Sequence, residues 1–332
     1  MHRPTYAFSQ NQKSKTTTNP NHFIKKGAHT MNGILPLWKE RGMTSHDCVF
    51  KLRKILKTKK VGHTGTLDPG VEGVLPICIG QATRIAEYLT DAGKTYEAIV
   101  SIGRTTTTED AEGETVEQDD SHKSITREQL LQALSSLTGE IEQTPPMYSA
   151  VKVNGKKLYE YARKGQEVER PTRKVTIYQL DLLDEASNFE GQEITFKIRI
   201  KCSKGTYIRT LAVQIGEALG FPAHMASLVR TASGTFSKEN CVTISEVEAA
   251  MNEEKIDQYI LPVEYALTAF PYIEIDESIE KQILNGQVLP IHALLKENDK
   301  IVFGMSQKAI AVYIQHPTKP HLMKPEKMFP TI

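Results

Sequence analysis

Apolar positions recur with two periods along this chain. Tyr96-Glu-Ala-Ile-Val-Ser-Ile102, Val175 to Leu183 and Ile194 to Lys201 alternate, which predicts strands with one buried face. Gly33-Ile-Leu-Pro-Leu-Trp38 also reads as a strand, and Val74-Leu-Pro-Ile-Cys-Ile79 is a continuous apolar run. Helical spacing predicts a helix to Leu56 capped by Asp47 or Ser45, a short amphipathic helix over Ala82 to Leu89, and a helix over Tyr207 to Leu219. Thr126-Arg-Glu-Gln129 and Thr243-Ile-Ser-Glu246 have the spacing of capping boxes, each opening a further helix, the first running to Leu137. Phe270-Pro271 marks a boundary. Beyond it come a short helix around Ile279 to Leu284, an Asn285-Gly286 turn, and strands at Lys300 to Phe303 and Ala309 to Ile314. Hairpin-like strand pairs interleaved with helices predict an α+β fold with a mixed, largely antiparallel sheet.

Composition narrows the class. The chain has 332 residues, 39% hydrophobic and 24% charged, ordinary for a globular protein of one large and one small domain, or two comparable ones. No apolar run approaches the ~18 residues of a membrane span. Cys48, Cys78, Cys202 and Cys241 lack any Cys-x-x-Cys pair, which fits reduced thiols in the cytoplasm and argues against zinc. The formal net charge is +1, but residues 1–30 hold five basic residues and no acid. The remaining 36 basic and 40 acidic residues leave −4, so any polyanion must be bound by local patches. One patch stands out: Lys51, Arg53, Lys54, Lys57, Lys59 and Lys60 crowd ten residues. Such a run is either a solvated helix face or a phosphate-contacting one. Its place just before the Asp68 loop favours phosphate. The acids of Glu109 to Asp120 are expected to face away from such a partner, Asp110 excepted.

The loop Val61-Gly-His63-Thr-Gly-Thr-Leu-Asp68-Pro-Gly70 carries the candidate chemistry. It presents one carboxylate between Gly and Pro residues, just ahead of the 74–79 run. Leu-Asp-Pro-Gly alone is an ordinary turn sequence. Its context is not ordinary. Gly62 to Pro69, followed by Gly73-Val-Leu-Pro-Ile-Cys-Ile-Gly80-Gln-Ala-Thr-Arg84, resembles the catalytic motif of the tRNA pseudouridine synthase B family. Further segments match in the family's order: Gly33-Ile-Leu through Lys39 to Ser45, Lys94-Thr-Tyr96, Thr106 to Gly113, Pro145 to Arg163, and Ser203-Lys-Gly-Thr-Tyr-Ile-Arg209-Thr-Leu. The resemblance spans about residues 33–235 closely and the rest loosely. Several ordered matches are far more specific than one. Three positions depart from the usual pattern: Trp38-Lys39-Glu40 stands for Asp-Lys-Pro, Val71 for Ala, and Thr107 for an acid.

The resemblance implies the pseudouridine synthase catalytic fold over residues 31–270 and a small PUA-like RNA-binding β-barrel over 271–332. It implies isomerisation of uridine 55 in the T loop of tRNA, without metal or other cofactor; we expect a monomer with no obligate protein partner. No phosphate-binding Gly-rich loop contradicts that. By the same resemblance Asp68 is the catalytic carboxylate, Arg209 its ion-pair partner, and Tyr96 the ring that stacks on uracil and can help remove the C5 proton. Read without the family, Arg209 is a helix-surface arginine and Tyr96 a strand tyrosine of the core. His63 is expected to position RNA, or to stabilise its turn. Lys39 and Asp110 are assigned supporting or RNA-contact roles, and Lys51, Lys54, Lys59 and Lys60 phosphate contacts. Two alternatives stand: a non-catalytic tRNA-binding or folding protein on this scaffold, and a synthase acting on another RNA.

Residues 1–30 read as disordered, with no acid and no amphipathic period. We expect translation to begin at Met31. The resemblance starts at Gly33, and Lys26-Gly-Ala28 can be encoded by a bacterial ribosome-binding sequence. The competing reading is a basic arm that adds phosphate contacts.

Overall fold

A computed structural model describes residues 31–329 of the chain. The 1–30 segment, with the expectations placed on it, lies outside the described residues. Seven strands run across the main sheet in the order Gly33–Lys39, Glu72–Ile79, Ala223–Ser233, Lys94–Ile102, Ile194–Cys202, Arg173–Leu182 and Gly139–Gln143. Val61–His63 pairs with Glu72–Ile79, and Phe236–Ser237 with Ala223–Ser233, making nine strands. Among these pairings only that of Ala223–Ser233 with Glu72–Ile79 is parallel. The mixed, largely antiparallel α+β architecture is therefore as expected.

Each strand's pattern follows from what covers it. Ile194–Cys202 alternates strictly, with Ile194, Phe196, Ile198, Ile200 and Cys202 buried and the residues between them exposed. On its outer face Lys197 and Arg199 pair with Glu97 of the neighbouring strand at 2.7 and 2.9 Å. The inner face packs on the Ile208–Leu219 helix through Ile208, Leu211, Ala212 and Ile215. That helix stops at Gly220, whose φ of +81° suits glycine. Gly33–Lys39 and Glu72–Ile79 are buried along nearly their whole length. A strand covered on both faces has no polar side to alternate with.

A second sheet orders Tyr272–Glu274, Ile301–Met305, Lys308–Gln315, Leu322–Met328 and Leu289–Pro290, and curls into a half-barrel of the PUA-like kind. Val302, Ala309 and Val312 of this sheet, with Phe329, join one apolar cluster with Ile34, Val74 and Cys78 of the main sheet. Polar pins surround the cluster. Tyr88 donates to Glu326, which also receives Lys300 Nζ at 2.7 Å, and the Ala309 amide donates to Glu264 at 2.8 Å.

Several elements differ from their sequence reading. The first helix, Ser45–Ile55, is capped by Thr44, not by Asp47 or Ser45. Asp47 is instead the reciprocal member of a Thr44–Asp47 capping box, and Ser45 is buried beneath the Asp68 loop. The helix expected over 82–89 divides into a 3-10 segment, Gly80–Ile85, and an α-turn, Ala86–Asp91. Thr126 and Thr243 cap their helices as their spacing predicts. The central strand Ala223–Ser233 has no counterpart in the sequence reading. Register shifts at Met225/Ser227 and Arg230/Ala232 break its period-two pattern.

Candidate active site

Asp68 stands in a loop anchored at both ends. Lys39 is fully buried, and its Nζ donates to the carbonyls of Val71 at 2.6 Å, Glu40 at 3.1 Å and Pro69 at 3.5 Å. Ser45 Oγ accepts from the Leu67 amide at 2.8 Å, and the Gly42 amide donates to Pro69 at 2.9 Å. Within the loop the Val71 amide donates back to the Asp68 carbonyl at 3.0 Å. Three ties from outside and one within hold the backbone, leaving the carboxylate half exposed at 49%.

Arg209 meets that carboxylate from the first turn of the Ile208–Leu219 helix. Its Nη2 lies 3.1 Å from Asp68 Oδ2 and donates to the Tyr148 carbonyl at 2.9 Å. Nη1 donates to the Thr108 carbonyl at 3.0 Å and lies 3.7 Å from Asp110 Oδ2. The side chain is 8% exposed, and both Nη atoms are aimed by groups fixed in the fold. Gln143 sets the start of the helix: its Oε1 accepts from the Tyr207 amide at 2.9 Å and its Nε2 donates to the Gln214 side chain at 3.1 Å.

A cavity of about 430 Å³ opens beside the pair. Asp68, Tyr96, Arg209, Tyr148, Tyr207 and Leu228 are among its lining residues. Tyr96 is buried in the Lys94–Ile102 strand, and burial raises its phenol pKa, an effect that the nearby charge of Arg230 opposes. The fold thus gathers Asp68, Tyr96 and Arg209, which lie far apart in the chain, on one opening.

The other sequence candidates are placed differently. Lys39 supports the loop from below and faces no solvent. Asp110 is half buried behind Arg209, with Oδ1 accepting from Thr108 Oγ1 at 2.6 Å and from the Glu112 amide at 3.1 Å. His63 is not a lining residue of the cavity. Its Nδ1 accepts from the Gly65 amide at 3.4 Å, and burial, with Arg230 second, lowers its pKa. Lys51, Lys54, Lys59 and Lys60 are exposed on the Ser45–Ile55 helix and the turn after it, with Lys54 Nζ 4.4 Å from the exposed Phe50 ring. They do not line the cavity, whose rim the helix touches at its Thr44 cap.

Two cations of the lining are given no role by the sequence: Arg230 and Lys94. Both are buried. Lys94 Nζ donates to the Thr90 carbonyl at 2.6 Å and the Ala92 carbonyl at 2.8 Å, and burial, reinforced by Arg230, pushes its pKa down to about 8. Lys94 adjoins Tyr96 in its motif, which was the available signal. Arg230 lies in the strand whose pattern is masked by bulges, so no local signal announced it.

Comparison with known proteins agrees with the geometry. Residues 53–208 match the model of the "TruB family pseudouridylate synthase (N terminal domain)", and residues 209–268 that of the "tRNA pseudouridylate synthase B C-terminal domain". The tRNA pseudouridine synthase B of Geobacillus thermodenitrificans is 55% identical over 301 residues, 90% of this chain and 100% of that protein. That of Listeria innocua is 57% identical over 300 residues, 90% of this chain and 98% of that protein. Among solved structures, a Cbf5-Nop10-Gar1 complex contains a chain with a TM-score of 0.67 and 29% identity, the match covering 90% of this chain and 85% of that one. With both family models matched in order and more than half of the aligned residues identical to those of two relatives covered almost end to end, the chain belongs to the TruB family of pseudouridylate synthases.

Proposed function

We propose that this protein is an enzyme that isomerises uridine to pseudouridine in tRNA, at position 55 of the T loop, with Asp68 as the catalytic carboxylate. The observation that carries the reading is the Asp68–Arg209 pair at 3.1 Å on the wall of a cavity of about 430 Å³. Such a volume is in the range of small-ligand sites, suited to one extruded nucleoside. The reaction breaks the bond from ribose C1′ to N1 and makes one from C1′ to C5. A proton leaves C5 and one is gained at N1, so the balance closes without redox chemistry. An ionised carboxylate serves such a step as a nucleophile or by stabilising an oxocarbenium-like sugar. Arg209 orients it, Tyr96 stacks beneath the uracil, and its hydroxyl helps to remove the C5 proton.

RNA reaches the site by shape and splayed bases, as is usual for folded RNA. We assign phosphate contacts to the exposed Lys51, Lys54, Lys59 and Lys60, positioning of the target loop to His63, and RNA binding to the curled C-terminal sheet from residue 271. The enzyme acts as a cytoplasmic monomer. No helix among the described residues is long and apolar enough to cross a membrane. A role on another RNA is less well supported. The solved relatives in H/ACA RNP and Cbf5 assemblies are 25–29% identical, whereas the tRNA pseudouridine synthase B relatives are 53–57% identical.

Asp68→Asn keeps the size of the side chain and removes its charge. Pseudouridine formation on a T-arm RNA, followed by tritium release from C5, is expected to vanish while RNA affinity stays near that of the parent. Turnover near the parental rate would remove Asp68 from the chemistry. Normal binding with no turnover by the parent itself would favour the non-catalytic reading.

A further inference from the structure

The floor of the cavity holds a charge that the proposed function has not used. Arg230 is 1% exposed, yet among the described residues no carboxylate forms an ion pair with it. Its Nε donates to the Val74 carbonyl at 2.7 Å, and its Nη2 has no hydrogen-bond partner. Tying this strand to its neighbour needs only a neutral donor, whereas burying an uncompensated cation is costly. The charge itself therefore calls for a role.

We propose that Arg230 is a positioning residue for the reaction, acting through the hydroxyl of Tyr96. The inference rests on the reading of Tyr96 given above. Arg230 and Tyr96 are directly opposite each other in the antiparallel pairing of Ala223–Ser233 with Lys94–Ile102. On the other side the partner of Arg230 is Gly73, and that of Gly73 is Lys39. One row across four strands thus reads Lys39, Gly73, Arg230, Tyr96. With no side chain at Gly73 and only hydrogen at Gly65, whose Cβ would lie 3.5 Å from Nη1, the guanidinium has room beside the loop that carries Asp68.

The charged groups around Tyr96 come from every neighbouring element. Arg230 approaches from one flanking strand and Cys202 from the other, Asp68 from the loop, and Lys94 from its own strand. Arg209 is committed to Asp68, and Lys39 to backbone carbonyls. Arg230 is the cation left over, directly across the strand pair from Tyr96 and lining the same cavity. Its charge favours the negative oxygen that forms whenever the hydroxyl proton departs, against the opposing push of burial and Asp68. Fixed charges of this kind act where charge develops.

A double-mutant cycle on the full chain tests the inference. The turnover number on saturating T-arm RNA, and the KM, are measured for the parent, Arg230→Gln, Tyr96→Phe and the double variant. Arg230→Gln is expected to lower kcat about 10- to 100-fold with KM little changed. In the Tyr96→Phe background the same substitution should cost no more than about twofold, because the hydroxyl through which it acts is gone. An equal loss in both backgrounds would overturn the inference and leave the Tyr96 reading standing. Parental kcat in Tyr96→Phe alone would sink the reading of Tyr96 first, and the inference with it. If Arg230→Gln does not fold, Arg230→Lys takes its place in the same cycle. It keeps the charge but not the planar fork, and is expected to show a smaller loss that is likewise abolished by Tyr96→Phe.

Discussion

At the scale of single residues, the site combines one half-exposed carboxylate with several cations drawn from water. Lys94 is the most measurable of them, because its pKa is pushed down to about 8 from an ordinary 10.5, first by burial and then by Arg230. The sign follows from proton counting. Below about pH 8 Lys94 is protonated in both folded and unfolded chains, and the cost of burying the charge is fully present. Between about 8 and 10.5 the folded protein has shed the proton while the unfolded chain keeps it, so stability rises with pH. Parent protein is therefore expected to gain thermal stability relative to Lys94→Met as the pH rises through that window. Melting both proteins at pH 7 and near pH 10 checks this. A difference that stays constant would mean that Lys94 titrates normally. Asp68, Tyr96 and Arg209 were legible in the chain because each lies in a short motif whose spacing survives without the fold. Arg230 was not, since a single arginine among Ser, Leu, Val and Thr carries no local sign of burial.

At the scale of elements, glycine at the middle of a strand row decides how closely two strands approach. Gly73 has φ +135°, and a Cβ there would meet the backbone of Arg230 at 2.2 Å from its carbonyl oxygen and 2.6 Å from its nitrogen. Backbone cannot swing aside as a flexible side chain can. Gly73→Ala is expected to destabilise the protein by about 2–4 kcal/mol, from strain at positive φ and the forced parting of strands. Denaturant unfolding gives the number, and a loss below about 0.5 kcal/mol, the scatter of ordinary surface substitutions, would show that the parallel pairing there is slack. Strands and helices with clean periodicity, such as Ile194–Cys202 and the boxes opening at Thr126 and Thr243, could be read from the chain because the pattern is generated by one exposed face. Bulged or very short elements give no such signal, which is why Ala223–Ser233, Tyr272–Glu274 and Leu289–Pro290 have no counterpart in the sequence reading.

At the scale of the whole molecule, the second sheet is built into the core of the first. Val302, Ala309, Val312 and Phe329 share an apolar cluster with Ile34, Val74 and Cys78. Those last three belong to the strands that frame the Asp68 loop. Ending the chain after Phe270 is therefore expected to do two things. It weakens tRNA binding, as the sequence alone led us to expect. It also lowers the unfolding free energy of what remains by at least about 3 kcal/mol, because apolar side chains covered in the intact protein are returned to water. Calorimetry together with binding measurements on the shortened chain separates the effects. Weakened binding at unchanged stability would make the tail a module that rests on the main sheet without supporting it.

The chain by itself determined the family, the α+β class, most helices with two of their caps, and Asp68, Arg209 and Tyr96 as candidates for the site. These depend on residue type and local spacing, which the linear order preserves. Only the tertiary structure decided that Lys39 is a buried prop for the Asp68 loop, that Arg230 and Lys94 underlie the cavity, and that the second sheet shares its core with the first. The physical reason lies in strand order. Residues 39, 73, 230 and 96 become neighbours through pairings between strands distant in sequence, one of them parallel. Burial and the electrostatics that follow from it are properties of that pairing, and no local pattern along the chain encodes them.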